Sequence, residues 1–218
     1  FADTSESPPI FLLVKEEIYI ITDAGSILGS MELSEINGAF YNIIPIKIIC
    51  KEFYFVIAMI SSNNQLFLCL YKYKLSGSCV ATNLFSYEEE RNVSSKSISC
   101  FYITNLICFY VENSQLFSSI FIVDINKTDK NIQFSKSNSL YIGGAEIIKS
   151  IYSSNLNKYL VCYINDENNC RCAYYDHNIN QWGHIINDLK KCIIELYSIN
   201  LQYFDSLNVY ILSCLQTE

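Results

Sequence analysis

Ten cysteines and two histidines are the side chains of this 218-residue chain best suited to chemistry. Cys162, Cys170 and Cys172 lie close in sequence to His177 and His184. Together they offer the nitrogen and sulfur donors of a mixed zinc site. The spacing speaks against it, because Cys-x7-Cys-x-Cys is not a zinc spacing. Cys170 and Cys172 would point to one face of a strand, too close together to close a tetrahedron. The reading preferred is a hairpin disulfide with two exposed histidines. A Ser/His/Asp or Cys/His site needs a histidine near its nucleophile. His184 follows Trp182-Gly183 on what reads as an outer strand, and nothing resembles a nucleophile elbow. Gly143-Gly144 is a turn rather than a phosphate cradle, since no strand–loop–helix surrounds it. Asp124, Asp166 and Asp176 fall at strand ends and turns, where Asp belongs without any metal. The expectation is a chain with no catalytic, cofactor-binding or metal-binding residues.

The totals narrow the function classes. The net charge is −7 with a pI near 4.9, and no cluster of cations is visible. Nucleic-acid binding depends on such clusters, so it is not expected. No apolar run reaches eighteen residues; Phe53–Ile60 is far too short to span a bilayer. The start, FADTSESPP, is polar and reads as a flexible mature or trimmed end over residues 1–9, any signal peptide having been removed. The cysteines are Cys50, Cys69, Cys79, Cys100, Cys108, Cys162, Cys170, Cys172, Cys192 and Cys214. An even count at this density points to an oxidising compartment. Two sequons, at Asn92 and Asn126, are candidate glycosylation sites. A secreted or cell-surface protein is expected, with a cytoplasmic scaffold carrying free thiols as the alternative. The expected partners are other secreted or surface proteins.

The elements that position these residues repeat. Asn-x-Gln-Leu-Phe occurs at Asn63–Phe67 and again, fifty residues on, at Asn113–Phe117. Apolar runs precede each copy: Ile43–Cys50 then Phe53–Ile60, and Ser97–Ile103 then Leu106–Val111. Weaker strands follow near Cys79–Phe85 and Asn131–Phe134. A third unit runs through Ile147–Tyr152, Lys158–Ile164, Cys170–Asp176 and Trp182–Ile186. A fourth begins with Cys192–Tyr197 and Asn208–Leu212, and a strand pair, Ile10–Val14 and Ile18–Thr22, leads the chain. The segments are rich in Ile, Val, Tyr and Phe, run 5–9 residues and end in Asn/Ser/Asp turns, as strands do. Second strands such as FYFVIAMI are apolar on both faces, so both faces must be covered. Glu88–Glu90 reads as a solvated loop.

Four-stranded units at this period describe an all-β β-propeller. Its blades are expected at about 10–35 (partial), 43–86, 95–136, 146–186 and 192–214 (partial), within one propeller domain or propeller fragment over residues 1–218. Either the leading pair of strands completes the trailing pair and closes a small ring, or a second chain completes a larger one. Tandem disulfide-bonded β-sandwiches of the six-cysteine parasite surface type are the alternative fold.

KYLVCYINDENNCRCAYYDHNINQW, residues 158–182, resembles a blade of the cysteine-rich protective antigens of malaria parasites, small secreted six-bladed propellers of sialidase-like fold. Their blades bridge a Cys on the second strand to one on the third. Cys162 with Cys172 or Cys170 fits that pattern, whereas Cys50 and Cys69 fall on the first and third strands of their unit. The Asp-box turn of such blades is matched by Asp176 and Trp182, without its Gly and Ser. The resemblance implies a non-enzymatic adaptor in a surface complex used for host-cell entry, and gives Trp182 a role in blade packing. Sialidase activity itself needs three arginines around the substrate carboxylate. The chain has only Arg91 and Arg171.

The hairpin around Asn165–Asn169 leaves a choice of pairing. Counting outward from Glu167 places Cys162 opposite Cys172, and counting from Asp166 places it opposite Cys170. Facing residues of an antiparallel pair are close enough for a disulfide in either register. An odd-sized turn about Glu167 is preferred, which leaves Cys170 at its mouth. Cys100, Cys108, Cys192 and Cys214 complete the disulfide candidates with Cys50 and Cys69.

Overall fold

The computed structural model describes residues 10–14, 17–21, 27–32, 38–49, 52–61, 63–74, 81–94, 97–126, 128–145, 147–165, 167–191, 199–204 and 209–214. Three four-stranded antiparallel sheets follow one another in sequence. The first holds β4 (Gly38–Ile49), β5 (Glu52–Ser61), β6 (Gln65–Lys74) and β7 (Ala81–Asn92). The second holds β8 (Ser99–Tyr102), β9 (Leu106–Glu112), β10 (Gln115–Asp124) and β11 (Asn131–Tyr141). The third holds β12 (Ile147–Ser153), β13 (Lys158–Ile164), β14 (Asn169–Asp176) and β15 (Gln181–Lys191). In each, neighbours in sequence are neighbours in the sheet. Each sheet is one blade.

The blades stack through their second and third strands. Tyr54, Val56, Ala58 and Ile60 of β5 and Leu66, Leu68 and Leu70 of β6 pack against Leu106, Cys108, Tyr110, Phe121 and Val123 of the second blade. Alternate residues of β9, Ile107, Phe109 and Val111, pack instead against Tyr159, Val161, Tyr163 and Tyr175 of the third. The period-2 alternation of a strand divides one sequence between two neighbours. This is why the second strands are apolar throughout. Burying one such Val, Leu, Ile or Phe contributes roughly 1.5–3 kcal/mol.

The innermost strands hold the stack together by polar contacts. The Ile148 N–H donates to Ser97 Oγ at 2.8 Å, and Ser97 Oγ donates to the Ile148 carbonyl at 3.2 Å. Ser150 Oγ donates to Ser99 Oγ at 2.7 Å. The offset is 51 residues in each case, so β8 and β12 run parallel. Pro45 sits in β4 beside a register shift, where a missing N–H does least harm to the ladder.

β16 (Ile199–Phe204) and β17 (Val209–Cys214) form a two-stranded sheet, with Leu201, Tyr210 and Leu212 packed against the third blade. The first three strands, β1 (Ile10–Val14), β2 (Glu17–Ile21) and β3 (Ile27–Glu32), form a sheet of their own. β1 and β2 therefore do not complete the trailing pair, and the ring is not closed: β2 takes β3 as its second partner instead. A blade packed on both faces also leaves no place for tandem sandwiches, in which each sheet covers a single neighbour. Glu88–Glu90 belong to β7 rather than a loop. β7 is the outer strand of its sheet, and its ladder with β6 carries the backbone through these residues. The strand expected at Cys192–Tyr197 lies outside the described residues, and β16 precedes β17 in its place.

Candidate functional site

An antiparallel four-stranded blade places its connections at two ends. The 1–2 and 3–4 connections share one end; the 2–3 and 4–1 connections share the other. Because the blades run parallel to one another, these ends form two faces with different surfaces.

The 2–3 face is built from tight polar turns, with Tyr141 at the end of β11, 73% exposed, beside them. Asn113 and Ser114 both have positive φ, 48° and 62°, in the two-residue loop between paired Glu112 and Gln115. That is the geometry of a type I′ hairpin. The equivalent turn of the first blade puts Asn64 at φ 60°, its N–H donating to the Ser61 carbonyl at 2.9 Å. In the third, Asn168 has φ 64° and donates to the Asn165 carbonyl at 2.9 Å. Asn tolerates this left-handed backbone better than most residues. The residue just before the paired strand, Asn64, Ser114 or Asn168, takes this backbone in every blade, and the repeated Asn of the sequence adds a second such residue only at Asn113.

The opposite face carries apolar tips. Ile103, Leu156, Ile179, Phe204 and Val209 border its connections and are 40–62% exposed. Two of these tips share a pattern, Asn155-Leu156-Asn157 and Asn178-Ile179-Asn180. In each the final Asn has positive φ, 52° and 54°. Each loop is also pinned. Ser153 Oγ accepts the Leu156 N–H at 3.2 Å, and Tyr152 Oη donates to Asn157 Oδ1. Tyr175 Oη donates to Asn180 Oδ1 at 2.6 Å, and Asn138 Nδ2 donates to the Asn180 carbonyl at 2.6 Å. Asp176 Oδ1 accepts the Asn178 N–H at 3.1 Å. Asp124 does the same for Asn126 at the corresponding corner of the second blade. The loops at 103–105, 154–157 and 177–180 contain no Asp, Glu, Lys or Arg, although the chain carries a net charge of −7. At their edge Asp176 meets Lys158 at 3.6 Å.

Beneath Leu156 and Ile179 lies an aromatic cluster. Trp182 packs on Tyr175 and Phe109 with ring centroids 5.0 and 5.8 Å away. Tyr159 meets Phe101, Phe109, Tyr152 and His177 at 5.0–5.7 Å. Tyr159 Oη, Trp182 Nε1 and His177 Nδ1 are buried without a hydrogen-bond partner. Burial, with Tyr152 and Tyr175 close by, holds the Tyr159 phenol well above its ordinary range. Burial raises Tyr175 as well, opposed by a hydrogen bond with Ser118.

The residues singled out in the sequence are placed as follows. Cys162 and Cys172 are paired in register, 4.0 Å apart at Cα, and joined by a disulfide. Cys170 pairs in register with Ile164 and is a free, buried thiol, pushed up to about 11 by burial. With its sulfurs bonded to each other, the 162–172 pair cannot ligate zinc. Cys100 and Cys108 are joined across β8 and β9. Cys69 is a free buried thiol 3.6 Å from Ser86 Oγ, so its place among the disulfide candidates is corrected: it faces Ile57 of β5 in the sheet interior. Cys50, Cys79 and Cys192 lie outside the described residues. Cys214 ends β17, in register with Ile199. Trp182 is half-buried in the seam between the second and third blades; Asp176 forms the turn before it. Asn92 and Asn126 are exposed, and so is His184, whereas His177 is half-buried. The pinned tips were missed in the sequence. The signal available was the doubled Asn–aliphatic–Asn within otherwise polar turns.

Fold and site define an all-β protein of the propeller type, an open stack of four-stranded blades with pinned aliphatic tips at one loop end. No family model matches the chain, and no curated protein matches it. Among solved structures it is similar to the WD40 domain of SCAP from fission yeast, at 7% identity and a TM-score of 0.48 over 89% of this chain and 42% of that one. It is also similar to the SapL1 lectin in complex with alpha methyl fucoside, at 10% identity and a TM-score of 0.43 over 90% and 68%. Domains 1–2 of Drosophila semaphorin 1a match at 9% identity and a TM-score of 0.36 over 97% and 65%. The chain spans less than half of the first of these. At such scores the architecture rests on the sheets and seams themselves.

Proposed function

We propose that this protein is a non-enzymatic, secreted protein-binding module that engages its partner through the face bearing Ile103, Leu156, Ile179, Phe204 and Val209. The observation that carries this reading is the pinning of the exposed aliphatic side chains Leu156 and Ile179 on two uncharged loops. Exposed apolar groups gathered on one face mark interaction surfaces. Loops already held in place lose little freedom on binding. Two disulfides, Cys100–Cys108 and Cys162–Cys172, are compatible with secretion. Among the described residues no helix is long and apolar enough to cross a membrane. Residues 1–218 act as one propeller domain or as part of a larger ring completed by a second chain. The resemblance of residues 158–182 to the malaria antigens supports the finer role of an adaptor in a parasite surface complex for host-cell entry.

A photo-crosslinking residue placed in turn at Leu156, Ile179, Asn64 and Asn113, in the intact protein and its own cells, tests the reading. Crosslinks to one partner from Leu156 and Ile179, each lost when the other position is changed to Asp (Ile179→Asp for the Leu156 crosslink, Leu156→Asp for the Ile179 crosslink), support it. Crosslinks confined to Asn64 and Asn113 overturn it.

A further inference from the structure

The two sequons stand in different structural settings. Asn126-Lys127-Thr128 lies in the connection from β10 to β11, at the same end of the blade as Ile103. Asn126 and Thr128 are both exposed. Both line one open concavity of about 480 Å³ with Asp129 and Asn131. Asp124 takes the main-chain N–H of Asn126 at 3.1 Å, which fixes the turn through its backbone and not through its carboxamide.

Asn92 and Ser94 are exposed too, but Asn92-Val93-Ser94 is held differently. Asn92 ends β7, and Val93 is buried in the first seam, its N–H donating to the Asn64 carbonyl at 2.6 Å. Ser94 donates to the Val111 carbonyl twice, through Oγ at 3.1 Å and through N–H at 2.7 Å. Glycan transfer reads the Asn carboxamide together with the hydroxyl two residues on. Folding of the second blade ties up the hydroxyl of one sequon and leaves the other open.

We propose that Asn126 carries an N-linked glycan and that Asn92 does not. In the transfer, Asn126 Nδ2 forms a bond to C1 of a lipid-diphosphate-linked oligosaccharide. The C1–O bond to the diphosphate breaks, the lipid diphosphate leaves, and the carboxamide gives up one proton. The glycan stands at the rim of the apolar face, on the second blade. Any partner then approaches that face from the side of the third blade. This inference rests on the secretion reading.

The test directs the full chain into a eukaryotic secretory pathway with a supplied leader. The product is treated with N-glycosidase in heavy-oxygen water and mapped without reduction. The expected result is the label at position 126 in most molecules and at position 92 in few, with Cys162 joined to Cys172. Thr128→Ala should remove the label at 126, and Ser94→Ala should leave it unchanged. An unlabelled Asn126 with the 162–172 bridge intact overturns the inference and leaves the secretion reading standing. Equal labelling at both positions overturns the distinction between them. Free thiols at Cys162 and Cys172 in the secreted product overturn the secretion reading, and this inference falls with it.

Discussion

The seam between the first and second blades and the seam between the second and third do the same mechanical job with different side chains. The first is mainly aliphatic, built from Val56, Ala58, Ile60, Leu66, Leu68, Leu70, Leu106 and Val123. Its two buried phenols are satisfied: Tyr54 Oη donates to Glu52 Oε2 at 2.8 Å, and Tyr110 Oη and Ser119 Oγ are 2.8 Å apart. The second is aromatic, built around Phe109, Tyr159, Tyr175 and Trp182, and it buries polar atoms without partners. Apolar filling is enough to stack two sheets, as the first seam demonstrates. Unpaired buried polar atoms cost stability. Tyr159 and Trp182 place such atoms in the second seam.

Deleting the central ring of the second seam should have the largest effect. Trp182→Ala is expected to cost about 3 kcal/mol in urea unfolding, the low end for a large aromatic because the ring is half-buried. A loss under about 0.5 kcal/mol would mean that the ring packs on nothing and would erase the contrast.

Opening the Cys162–Cys172 bridge with a double Ser variant should cost on the order of 2–3 kcal/mol, since the loop it closes is short. An unchanged melting temperature after reduction would count against its holding the hairpin in register.

The two phenols sharpen the comparison further. Tyr110→Phe breaks a buried hydrogen bond and should cost roughly 1 kcal/mol. Tyr159→Phe removes a hydroxyl that has no partner, so it should be neutral or slightly stabilising. Equal costs in the two variants would show that the seams are not different in this respect.

Alkaline pH adds a smaller effect of known sign. The folded Tyr159 phenol keeps its proton to higher pH than the unfolded chain, whose phenols titrate near pH 10. The folded state then binds more protons, so stability is fully present below about pH 10 and falls as pH rises beyond it. Tyr159→Phe should flatten that fall, while Tyr110→Phe should leave the Tyr159 contribution in place.

Strand order and the burial of second strands on both faces were legible because they depend on side-chain alternation and turn residues. FYFVIAMI could belong only to a strand with neighbours on each side. The odd-sized turn about Glu167, with Asn168 in the left-handed region, set Cys162 opposite Cys172 by local arithmetic. What was not legible depended on distant pairing. β1 and β2 could equally have joined the trailing strands, and only the chain's choice of β3 decides otherwise. Cys69 looked like a disulfide partner because its sequence carries no sign of which strand face it takes. The pinned tips at Leu156 and Ile179 were hidden for another reason. Their anchors, Tyr152 with Asn157 and Asn138 with Asn180, are set by folded geometry and not by spacing alone.

The chain has a single tryptophan, and it stands in the seam between the second and third blades. All indole emission therefore comes from one place. In a stack where each blade touches only its neighbours, separation can begin at one seam before the others. A fluorescence melt would then record the parting of these two blades, while circular dichroism records loss of strands throughout. The gap between the two curves would measure how cooperatively the stack comes apart, with no label added.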